Sequence, residues 1–171
     1  MMRFPAGLIP VSAIIMLAVA CAPRPALDGG DSEPPRITLT ALNSAGTPTF
    51  SSDGSDPGAC AVVRAFPASI SVSATDEGGV DSLVVSVFPG HISDVSVAPD
   101  SADFRTERNR STDSLIITTR PPAGLVQPNV LVTLKVSELS AVVASADDTS
   151  GNRSHLHQVD LRPPQSPVLC P

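Results

Sequence analysis

The residues of this chain that could do chemistry are few. His155 and His157 form an H-x-H pair, and alternate residues of a strand share a face, so both imidazoles are expected on one side. Zinc or copper could use such a pair if further ligands joined it; otherwise the two are polar residues of a terminal strand. The third histidine, His91, lies in a polar stretch. Carboxylates gather twice ahead of glycine, in Asp76-Glu77-Gly78-Gly79 and in Asp147-Asp148-Thr149-Ser150-Gly151-Asn152. Clustered carboxylates suit a hard cation such as calcium, but no EF-hand spacing occurs. The reading preferred is turn chemistry, with Gly78 or Gly79 and Gly151-Asn152 supplying positive φ, and Asp76 and Asp147 or Asp148 accepting turn N–H groups. Ser and Asp are plentiful enough for a Ser-His-Asp hydrolase. Yet there is no G-x-S-x-G elbow, no Gly-rich phosphate loop and no H-E-x-x-H helix. A non-enzymatic protein is expected, with no catalytic residue, no bound metal and no cofactor.

The elements that would carry these groups are strands. Apolar residues make up 42% of 171 residues, enough for a core, while 18 prolines and the absence of Trp and Tyr favour short strands and turns built from Val, Leu, Ile and Ala. Alternation marks Ile37, Leu39 and Ala41; then Ile70, Val72 and Ala74; then Leu83, Val85 and Val87, with Val84 and Phe88 opposite, as in a strand covered on both faces. Further strands are expected at Leu115-Ile116-Ile117, at Asn129 to Ser137, at Ala141 to Ala146, and at Ser154 to Leu161 with His157, Val159 and Leu161 in one row. Residues 43–58 read as a long loop, and 91–112 as mostly polar with a short strand at Val95 and Val97. About seven strands and no helix predict an all-β, antiparallel two-sheet sandwich over residues 36–162, followed by a C-terminal tail, 163–171.

Residues 1–20 have the parts of an export signal: Arg3, then an apolar run from Ala6 to Ala20 broken only by Ser12, too short to remain as a membrane span. The sequence Leu17-Ala18-Val19-Ala20-Cys21 resembles the lipobox of bacterial lipoproteins, with Ala18 standing where that pattern more often has Leu. The resemblance implies cleavage before Cys21 and acylation (palmitate among the chains) of that cysteine. The alternative is a secreted protein cut at an A-x-A site. Each buried acyl CH₂ contributes about 0.8 kcal/mol, and two or three chains make the anchor effectively permanent. With Cys21 lipidated, Cys60 and Cys170 remain as a pair in an oxidising compartment. A bridge between them would close a loop of ~110 residues and stabilise by roughly 4–5 kcal/mol on the chain-entropy model; two free thiols are the alternative. Residues 21–35, rich in Pro, Gly and acids, read as a flexible, disordered spacer. The expected location is the cell envelope: the outer membrane of a Gram-negative cell, or the outer face of a Gram-positive cytoplasmic membrane.

Two segments sharpen the fold. Ser73-Ala74-Thr75-Asp76-Glu77-Gly78-Gly79-Val80 resembles the A-x-D-x-x-G-[VI] turn of bacterial Ig-like domains. Ala144-Ser145-Ala146-Asp147-Asp148-Thr149-Ser150-Gly151-Asn152 is similar to their last hairpin. The resemblance implies an Ig-like sandwich and says almost nothing about function. A protein partner in the envelope is expected beside the membrane itself. Nucleic acid is not: the chain carries −6 overall, and no basic cluster stands out. Glycan adhesion would draw on Phe50, Phe66, Phe88 and Phe104, some of which the core needs.

Overall fold

A computed structural model describes residues 31–56, 59–122 and 126–164. Cys21, Cys170, the expected export signal (residues 1–20) and most of the expected spacer (21–35) lie outside the described residues. Eleven strands and no helix are present among those described: β1 (Arg36–Leu42), β2 (Pro48–Ser52), β3 (Cys60–Val62), β4 (Ala68–Thr75), β5 (Val80–Phe88), β6 (Ile92–Ala98), β7 (Asp103–Asn109), β8 (Ser114–Arg120), β9 (Asn129–Val136), β10 (Ala141–Asp148) and β11 (His157–Arg162). They form two sheets, ordered β2-β1-β4-β9-β6 and β3-β11-β10-β5-β8-β7. Every pairing is antiparallel except β3 with β11.

The sandwich is the expected class; the strand count is corrected from about seven to eleven. Two of the added strands, β2 and β7, come from the stretches that read as loops, and β3 is a three-residue edge strand. All seven residues of β7 are exposed, so no apolar row marks it, and β2 is polar except at Phe50. Only pairing to a neighbour makes these segments strands.

The core follows from period-2 alternation. Ile37, Leu39 and Ala41 of β1, Ile70, Val72 and Ala74 of β4, and Val130, Val132, Leu134 and Val136 of β9 face Leu83, Val85 and Val87 of β5, Val142, Ala144 and Ala146 of β10, and Val159 and Leu161 of β11. On β5 the inward row begins at Val80 and continues at Leu83, a change of parity. The pairing explains it: Asp148 lies opposite Val80 and Asp147 opposite Ser82, so β5 carries one extra residue at this end. The outer face of β5 is not covered as expected, since Phe88 is 38% exposed. Phe50 and Phe66 pack against the core, whereas Phe104 is exposed.

Leu83 sits at 0% exposure in the middle of this layer. Leu83→Ala is expected to cost about 2–5 kcal/mol, the range for truncating a fully buried Leu. A urea titration checks this, and a cost under about 1 kcal/mol would show that the layer is loosely packed.

Candidate metal centre

Both turns singled out in the sequence lie at one end of the sandwich, because β4 ends, β5 begins and β10 ends there, beside the start of β1. The inward rows do not stop at the last hydrophobic residue. In β10 the row Val142, Ala144, Ala146 runs on to Asp148, 3% exposed. After β4 the row Ile70, Val72, Ala74 runs on to Asp76, 9% exposed. Parity alone therefore carries two carboxylates into the lip of the layer between the sheets.

A third carboxylate joins them. Asp31, from the stretch whose composition predicts a spacer, lies half-buried beside the two, and one ligand atom from each of Asp31, Asp76 and Asp148 falls within 4.8 Å of the others. The last part of residues 21–35 is therefore docked rather than disordered. Gly78 N–H donates to Asp31 Oδ2 (3.3 Å), and Asn152 Nδ2 donates to the Asp31 main-chain oxygen (2.8 Å). Pro35 is buried as well.

The two turns do part of the work expected of them. Positive φ falls on Gly79 (100°) and Gly151 (91°). Asp148 accepts from Asn152 N–H through Oδ1 and from Asn152 Nδ2 through Oδ2, both at 2.7 Å. Thr149 ties the turns together, its N–H donating to Gly79 O and its hydroxyl to Gly78 O. Asp147 is held outside the cluster by a two-pronged ion pair with Arg153, 2.6 and 2.9 Å, which with a bond from Ser82 keeps its carboxyl below the usual range. Asp76 is the exception: its Oδ2 is buried with no hydrogen-bond partner.

Among the described residues, no Lys or Arg forms an ion pair with Asp31, Asp76 or Asp148. Burial, then the charges of Asp31 and Asp148, push the Asp76 carboxyl up, against weaker opposition from the Gly79 and Gly78 amides. Each fully ionised pair at such separations repels by on the order of 3 kcal/mol at an effective dielectric near 20. Space is reserved as well: a Cβ on Gly78 would come within 3.2 Å of Asp31 Oδ2 and 3.3 Å of Asp76 Oδ2. The cluster opens onto a groove of 780 Å³ lined also by Glu33, Arg36 and Glu77. An all-oxygen set of this kind suits a hard divalent cation better than zinc or copper, which favour sites that include nitrogen or sulfur.

The histidines do not form a second centre. β11 starts at His157, so His155 precedes the strand and is exposed while His157 is buried at 4%; the expected shared face is not there. His157 Nε2 instead meets the Ser52 hydroxyl at 2.9 Å, linking β11 in one sheet to β2 in the other. The sequence offered no signal for this contact across 105 residues. As a hydrolytic pair it is poorly placed, because Ser52 is 8% exposed and no carboxylate holds His157 Nδ1, which is buried without a partner. His91 pairs with Glu138 on the surface, 2.6 Å away. Cys60 is not a free thiol; Cys170, the partner expected from the sequence, lies outside the described residues.

Burial lowers the His157 pKa from 6.5, outweighing the Ile37 backbone and the Asp53 charge, which raise it. At this group the unfolded chain therefore binds a proton at a pH where the folded one does not, so the His157 contribution to stability falls as pH drops below 6.5. The expected slope between pH 6.5 and 5 is at most about 1.4 kcal/mol per unit, and His157→Gln should flatten it. Urea titrations at several pH values measure both; an equal slope in the variant would assign it to another group.

No family model and no curated protein matches this sequence. Among solved structures, the chain is similar to one from a type I cohesin–dockerin complex of Clostridium thermocellum, at TM-score 0.42 and 10% identity over 78% of this chain and 99% of that one. It is also similar to a non-cellulosomal cohesin from the hyperthermophilic archaeon Archaeoglobus fulgidus, at TM-score 0.40 and 11% identity over 72% of this chain and 91% of that one. The sandwich is defined by its own strand pairings.

Proposed function

We propose that this chain is an envelope lipoprotein, cut before Cys21, held on a membrane by lipid on that cysteine, and carrying an Ig-like β-sandwich that works by contact rather than catalysis. The observation that carries the reading is the junction Ala20-Cys21, a small residue and a cysteine closing an apolar export segment with Arg3 ahead of it. Among the described residues no helix is long and apolar enough to cross a membrane, so the lipid would be the attachment for this part of the chain. A Cys60–Cys170 bridge accounts for the remaining two cysteines and would tie the C-terminal tail to the edge strand β3.

A non-catalytic role agrees with the Ser52–His157 contact being sealed between the sheets. The chain would meet another envelope protein or act as a structural element there. Ala22 after the cysteine, rather than Asp, resembles the sorting rule for delivery to the outer membrane in Gram-negative cells.

Metabolic labelling with palmitate and membrane fractionation test the anchor. The wild-type chain should take up label and sediment with membranes, and Cys21→Ser should lose both. A Cys21→Ser chain that is still processed and membrane-bound overturns the reading.

A further inference from the structure

We propose that Asp31, Asp76 and Asp148 form a calcium site that fastens the end of the spacer onto the sandwich. Three observations converge. One ligand atom from each residue lies within 4.8 Å of the others, a span that two Ca–O bonds of about 2.4 Å can cover. Asp76 is nine-tenths buried, and its Oδ2 has no hydrogen-bond partner; Oδ2 of Asp31 and Oδ2 of Asp76 both converge on the backbone of Gly78, where the missing side chain leaves room. A buried carboxylate oxygen to which no protein group among the described residues donates, beside two more carboxylates, is an arrangement that a cation completes. The groove beside it gives entry for the ion and for the waters that would fill the rest of a six- to eight-oxygen shell.

The three ligands come from separate places. Asp76 follows β4, Asp148 ends β10, and Asp31 precedes β1. Bound calcium would join both turns to the residues just before β1, adding to the Gly78 and Asn152 hydrogen bonds that already hold Asp31, so this segment would be fastened more firmly when calcium is present than when it is removed. The site itself stands whether or not Cys21 carries lipid; its consequence for the anchor rests on the proposed function.

Calorimetric titration of the full chain with CaCl₂, and thermal melts in CaCl₂ and in EGTA, test the proposal. One ion should bind with Kd of about 10⁻⁴–10⁻³ M, the range of extracellular modules. The melting temperature should rise by about 3 °C or more at 10 mM. Exchange of the Gly78 and Asn152 amides, which donate to Asp31 and Asp148, should slow about tenfold. Asp76→Asn should abolish the calcium response, and in EGTA it should melt no lower than wild type, because it removes a buried, unpartnered charge. Asp31→Asn, further from the core, guards against misfolding and should also lose the response. A wild-type chain indifferent to 10 mM CaCl₂ overturns the site, as does an undiminished response in both variants. An equal response to MgCl₂ overturns the choice of calcium. Cys21→Ser should keep the full calcium response, so the anchor and the site fail separately.

Discussion

Two sets of side chains meet between the sheets, and the strict alternation that brings them there governs the rest of the molecule. With no Trp or Tyr and with Phe50 and Phe66 only partly buried and Phe88 and Phe104 exposed, the layer is filled by Val, Leu, Ile and Ala, whose shapes suit a pleated surface and whose rows must stay in register to remain buried. A slip of one residue would expose an entire row. Polar residues that share the parity of a row are carried inward with it. Asp76 and Asp148 are buried for this reason, as is His157 at the start of the β11 row.

These three buried ionisable groups are resolved differently. His157 finds the Ser52 hydroxyl across the layer and joins edge strand β2 to the opposite sheet, at the cost of a buried Nδ1 without a partner. Asp148 is bonded by Asn152 within its own turn. Asp76 has the backbone bond from its N–H to Pro128 O but a carboxylate oxygen left unmatched. These are local conflicts between strand parity and solvation, and they concentrate at the end of the sandwich where the chain arrives from the spacer. Thr119 of β8, at 0% exposure with its hydroxyl unpartnered, is a further conflict of the same kind.

The bulge between β5 and β10 belongs to the same economy of register. By inserting one residue into β5 it lets both Val80 and Leu83 face the core, although their numbers differ in parity, and it leaves Ser82 beside Asp147. Asp147, one residue from Asp148, thereby pairs with Arg153 at the surface while Asp148 points inward. Adjacent acids in one turn thus come to have opposite environments, a distinction that composition cannot express.

The sequence by itself determined the β class, the inward rows of β1, β4, β5, β9, β10 and β11, the two glycine turns, and the expectation of a lipid anchor at Cys21. Each depends on nearest neighbours or on period-2 spacing, both visible in a linear string. Its parity also contained the burial of Asp76 and Asp148, a signal masked by the equally good reading of those residues as turn acceptors. Only the tertiary structure decided that β2, β3 and β7 are strands, since their residues carry little or no apolar alternation and gain their form from pairing. It alone separated His155 from His157, matched His157 to Ser52, and brought Asp31 beside Asp76 and Asp148. Those contacts span 45 to more than 100 residues, and no local pattern records which distant segments a folded layer will bring to the same end.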